Sequence, residues 1–107
     1  MKKKVDGSEH VKIWLLVLDV LKPHEPSTLG IAKALNAVAG VDGVEISVNE
    51  SNREVENAKI TLEGEDIPYE RVRKVIKDHG ATIHSVEKVI TGKKPPIATT
   101  SQNPDQA

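Results

Sequence analysis

Residues 12–21 read Lys-Ile-Trp-Leu-Leu-Val-Leu-Asp-Val-Leu, apolar at almost every position, and Pro23 follows closely. A continuous apolar run of this length, closed by a residue that cannot donate to a β-ladder, reads as a central strand buried on both faces. The rest of the chain has to be arranged around it.

Downstream, residues 22–26 are Lys-Pro-His-Glu-Pro. Two prolines fix the backbone there, and Ser27 or Thr28 then offers a side-chain oxygen to the first free N–H groups of a helix. Ile31, Leu35 and Val38 recur at helical spacing, Ala32 and Ala39 widen the stripe, and Gly40 supplies a stop, which predicts a helix over 27–39. After a turn at 41–43, Val44, Ile46 and Val48 alternate with Glu45, Ser47 and Asn49. That is the period of a strand with one wet face. A polar connection over 50–56 leads to Ala58, Ile60 and Leu62, alternating with Lys59, Thr61 and Glu63, so the two strands form a hairpin. Asp66 is a candidate cap and Pro68 suits a first helical turn. Ile67, Val72, Val75, Ile76 and His79 then make a second helical stripe that ends at Gly80. A last strand over 81–91 passes through Ile83, Val86, Val89 and Ile90 with a spacing that does not settle which side faces in.

The order βαββαβ, with right-handed crossovers and both helices on one face, leads to an α+β ferredoxin-like split-βαβ sheet of strand order 4-1-3-2. The doubly apolar first strand then lies in the centre. Helices cover only one of its faces, however. If Trp14, Leu16, Leu18 and Val20 point to the helices, Ile13, Leu15 and Val17 point away, with Asp19 ending the row. Aliphatics clustered on an uncovered sheet face mark an interface, so these three are the expected contacts of a homo-oligomer. The plainer alternative is a few tolerated surface aliphatics.

Composition sets the outer bounds. At 107 residues there is room for one domain, assigned to 11–92, with a flexible leader over 1–10 and a proline-rich tail over 93–107 that is expected to be disordered. Trp14 and Tyr69 are the only aromatic residues, so no ring platform exists for stacking nucleic-acid bases. A net charge of −1 leaves no basic footprint for nucleic acid or a membrane surface. With no cysteine there is no disulfide, thiolate nucleophile or cysteine-held metal. The apolar run is too short to span a bilayer, and a cytoplasmic protein is expected.

Residues 18–26, Leu-Asp-Val-Leu-Lys-Pro-His-Glu-Pro, then 40–44, Gly-Val-Asp-Gly-Val, and His84-Ser85 in the last strand together resemble the archaeal domain of unknown function 211 family. The resemblance covers about residues 12–92 in the same order and leaves leader and tail outside. It implies a ferredoxin-like fold, a ring-shaped or other homo-oligomer and an archaeal origin. It implies no activity and no catalytic residues.

Three candidate sites remain. Asp19, Lys22, His24, Glu25, Ser27 and Thr28 crowd the end of a central strand beside a helix N-terminus, where exposed N–H groups favour an anionic or polar small ligand. Turn chemistry and capping explain the same residues without a ligand. Within that loop, Asp19, His24 and Glu25 could contribute to a divalent cation site for calcium or magnesium, completed by Glu45, Glu50 or Glu54 of a neighbouring subunit, since such ions require several oxygen donors. Finally, His84 on the last strand could approach Asp19 as an acid–base pair, although no nucleophile motif accompanies it. The sequence therefore points to a non-enzymatic oligomeric module with a ligand or ion at the loop over 19–28. A purely structural or protein-binding assembly unit is the main alternative, and an enzyme using His84 and Asp19 is the third.

Overall fold

The computed structural model describes residues 11–25 and 27–97, apart from the side chain of Glu50. The expected leader over 1–10 and most of the expected tail, 98–107, lie outside the described residues, as does Pro26. Strand β1 (Lys12–Pro23) is followed by helix α1 (Thr28–Asn36), strands β2 (Val41–Ser51) and β3 (Val55–Gly64), helix α2 (Tyr69–Asp78) and strand β4 (Thr82–Gly92). The four strands form one antiparallel sheet in the order β2-β3-β1-β4, which is the ferredoxin-like arrangement with β1 and β3 central. α1 packs against β2, α2 against β4, and the helices touch each other.

The core is aliphatic. Leu16, Leu18 and Val20 of β1 meet Ile60 and Leu62 of β3, Ile31 and Leu35 of α1, and Val72 and Ile76 of α2. Leu18 and Ile60, both without solvent exposure, are direct cross-strand partners at its centre. Val17 is buried as well, yet it stands outside this cluster. Strict alternation along β1 places it on the face without helices.

That alternation fails at one point. Ile13 opposes Thr91 of β4 while Leu15 opposes Ile90, so Trp14 occupies an extra position in β1. An extra residue in one strand re-aims its neighbours. Ile13 consequently packs against the core instead of pointing away from the helices. Trp14, expected in the core, donates from its indole N–H to the Gly92 carbonyl oxygen at 3.0 Å and lies under the Lys12 ammonium. Of the three residues expected to face away, Leu15 and Val17 keep that direction.

The helices differ from expectation mainly at their ends. Ser27 caps α1, accepting from the Gly30 N–H at 3.1 Å. The helix stops at Asn36 rather than residue 39, because Val38 and Val41 bond back to Leu35 and Val38 in tight turns. Gly40 follows at φ +99°, where a Cβ would also come within 3.1 Å of the Asp66 carbonyl oxygen. α2 begins after Pro68 with no side-chain cap, and Asp66 sits instead in the left-handed region at φ +63°. Val48, expected on the core side, is 43% exposed beside a second irregularity, between Val48 and Glu50 of β2. The hairpin is tighter than the expected connection over 50–56. Asn52 closes it, its side-chain oxygen accepting from the N–H groups of Glu54 and Val55.

Candidate functional site

At the end of β1, Lys22 follows the core residues Leu18 and Val20 on the helix-facing side and is itself 1% exposed. A buried ammonium is costly unless its protons are used. Lys22 Nζ donates to the Pro23 carbonyl oxygen at 2.8 Å and to Glu56 Oε1 at 2.8 Å. Glu56 is the residue directly opposite on β3, so the pair forms in register across the ladder. His24 adds a second bond to the same region. Its Nε2 donates to the Asn52 carbonyl oxygen at 2.6 Å, and its Nδ1 lies 3.2 Å from Glu56 Oε2. The hydrogen bond from Lys22 holds the Glu56 carboxyl below its ordinary value, with the Lys22 and His24 charges assisting against partial desolvation.

The Lys-Pro-His-Glu-Pro loop is therefore tied to the β2–β3 hairpin through Lys22, His24, Glu56 and Asn52. Two of the expected ligand contacts, Lys22 and His24, are occupied by protein groups, and Ser27 is occupied as a cap. Thr28 is the first residue of α1, and Glu25 is exposed and makes no ion pair among the described residues.

Asp19 lies elsewhere, on the helix-free face of the sheet. It lines an open depression of about 230 Å³ together with Asn49, Asn57, Lys59 and Glu87. The expected cation set is thus divided between two places. Among the described residues no group of three or more His, Asp or Glu side chains gathers in a way that could hold a metal ion. Glu45 is exposed on β2 and Glu54 on the hairpin turn; the Glu50 side chain lies outside the described residues. His84 is exposed at a bulge in β4, and it is Ser85 that stands opposite Asp19. No hydrogen bond or ion pair joins His84 to Asp19.

Residues 14–105 match the model of DUF211, described as an uncharacterized ArCR family. The chain belongs to the DUF211 family. An uncharacterized protein of Methanocaldococcus jannaschii is 43% identical over 79 residues, which covers 74% of this chain and 81% of that protein. The DUF211 match runs to residue 105, so the stretch after β4, expected to lie outside the family, is part of it.

Several residues of this DUF211 chain carry the site geometry without having stood out in the sequence. Glu56 and Asn52 complete the loop's anchorage, and Lys59 faces Asp19 across the β1–β3 ladder. Both opposite pairs, Lys22–Glu56 and Asp19–Lys59, follow once the register is known. Asn49 and Glu87 had no such signal, because each sits at an irregularity that alternation does not reveal. Val86 and Val89, 48% and 49% exposed, add apolar surface along the edge strand β4. No helix among the described residues is long and apolar enough to cross a membrane.

Proposed function

We propose that this chain is a non-enzymatic module that associates with copies of itself through the helix-free face of its sheet, and that a small ligand binds on the polar end of the same face. The observation that supports association is the position of Leu15 and Val17. They occupy the central strand on the side that neither helix covers, and Ile90 stands in register beside Leu15. Sheets of this kind bury the second face against another layer when it carries aliphatic side chains. Ile13 does not contribute, so the patch is narrower than its sequence suggests.

The ligand site is at Asp19 and not at the prolines. Lys22 and His24 already have protein partners, whereas Asp19 is half-buried and pairs with nothing among the described residues. A divalent ion is the weaker choice of ligand there, because the Lys59 ammonium lines the same depression.

Sedimentation velocity and light scattering on the full chain at micromolar concentration test the association. A defined oligomer is the expected result. A monomer across that range would remove this reading.

A further inference from the structure

Two edge strands are distorted toward the same place. In β4 the register against β1 passes from Lys88 opposite Val17 to Val86 opposite Leu18, leaving Glu87 as the extra residue. In β2 the register against β3 passes from Val48 opposite Ala58 to Glu50 opposite Asn57, leaving Asn49 as the extra residue. Bulges re-aim side chains and are over-represented beside functional sites. Here both extra residues line one depression, entering from opposite edges of the sheet. Its middle is formed by Asp19 of β1 and Lys59 of β3, which are direct cross-strand partners.

The charges in this depression are not spent on one another. Side chains directly opposite on antiparallel strands are close enough for an acid and a base to pair. Asp19 and Lys59 nevertheless form no ion pair, and neither has another hydrogen-bond or salt-bridge partner among the described residues. Glu87 is held by a hydrogen bond from the Ser85 hydroxyl, and Ser85 itself stands opposite Asp19. The result is two carboxylates, one ammonium and two side-chain amides around a space of about 230 Å³. That is smaller than the roughly 300–1,000 Å³ of sites for drug-sized molecules.

We infer that the depression framed by Asp19, Asn49, Asn57, Lys59 and Glu87 binds a small zwitterion, a free α-amino acid or a molecule of that size and charge pattern. Asp19 and Glu87 receive its ammonium group, and Lys59 receives its carboxylate. Asn49 and Asn57, neighbours on β2 and β3 beside Lys59, have amides that both donate and accept and complete the contacts on the carboxylate side. A ligand with only one charge leaves one side of the depression unmatched. A bare divalent ion meets the Lys59 charge. This inference rests on the ligand part of the reading above and names its chemistry; it does not depend on self-association.

Calorimetric titration of the full chain tests it, using each common α-amino acid, the amine and the carboxylic acid left when one charged group is removed, calcium chloride and inorganic phosphate. At least one amino acid is expected to bind, with its single-charge counterparts weaker by about tenfold or more. Asp19→Asn and Lys59→Met are each expected to weaken it by a similar factor while leaving the melting temperature near the parent's; Lys59 is exposed, so its variant keeps the test valid if Asp19→Asn unfolds. Binding of calcium, phosphate or the amine alone, with no preference for the amino acid, overturns the zwitterion and leaves a ligand site of other chemistry. Amino-acid binding that neither variant changes also overturns it. Silence from every probe overturns both this inference and the ligand part of the proposed function, while sedimentation judges self-association separately.

Discussion

Lys22 and Glu56 face each other across the β1–β3 ladder, and the Lys22 ammonium, almost wholly buried, donates to the Glu56 carboxylate at 2.8 Å. The aliphatic stem of Lys22 continues the apolar row of Leu18 and Val20, while its charged end reaches the rim where Glu56 retains some solvent. Long basic side chains commonly divide their surface in this way. Because His24 reaches Glu56 and Asn52, the same pair fixes the proline-flanked loop to the hairpin. A segment that resembles a ligand loop in the sequence is anchored as structure.

Truncating Lys22 should therefore act through packing as well as charge. Lys22→Ala removes a buried four-carbon stem and is expected to cost on the order of 2 kcal/mol. Lys22→Met keeps most of that volume and should lose less, because it gives up only the bonds of the ammonium, and the Glu56 carboxylate left behind retains some solvent. Urea denaturation of the parent and both variants checks the ranking. Equal loss in the two variants would mean that the ammonium, and not the stem, sets the cost.

Acid should weaken the same contact. The Glu56 carboxyl lies below the ordinary value of 4.5, chiefly through the hydrogen bond from Lys22. A carboxyl with a lowered value in the folded state contributes stability that is present above the unfolded value and is lost as pH falls through the folded one. Glu56→Gln removes that contribution. The stability gap between parent and Glu56→Gln should shrink as pH drops below about 4.5. Thermal melts of both proteins from pH 7 down to pH 3, as a series of about eight points, measure it; a gap that widens below about pH 4.5 contradicts the assignment.

The fold was legible because its signals are local and repetitive. The apolar run through Leu16, Leu18 and Val20, the alternation through Ile46 and Ile60, and the stripes through Ile31 and Leu35 and through Val72 and Ile76 each meet the core as their periods require. The candidate site was less legible for two physical reasons. Bulges at Trp14, Asn49 and Glu87 break the alternation that sequence reading relies on, which turned Ile13 to pack against the core and brought Glu87 to the depression. The partners of Lys22 and His24 are distant in sequence, and only pairing of β1 with β3 brings Glu56 to them. Asp19 was visible as a polar break in an apolar strand, but its neighbours were not.

Two glycines should respond to alanine with opposite signs. Gly40 has φ +99°, and an added Cβ would lie 3.1 Å from both the Asp66 carbonyl oxygen and Pro68 Cδ. Gly40→Ala is expected to destabilise by more than about 1 kcal/mol, from backbone strain and crowding together. Gly30 is helical, and an added Cβ there meets only Ser27 Oγ at an ordinary 3.6 Å. Gly30→Ala should stabilise by about 0.5–1 kcal/mol, because alanine loses less conformational freedom in a helix. Chemical denaturation of the two variants in parallel decides both, and a stabilised Gly40→Ala would refute the turn geometry.

The surface used for self-association can be located by placing a charge at one apolar position at a time. Leu15 is half-buried on the helix-free face, while Val86 is 48% exposed on edge strand β4, in register with the core-facing Leu18. If copies meet through the open sheet face, Leu15→Glu buries an unpaired carboxylate at the contact and should shift the association midpoint by about a hundredfold in concentration. Val86→Glu adds its charge along the edge and should leave that midpoint within about threefold. Sedimentation velocity over a dilution series reads both, and a circular dichroism melt of each variant shows that its fold is retained. The reverse pattern, dissociation by Val86→Glu alone, would move the interface from the open face to the β4 edge.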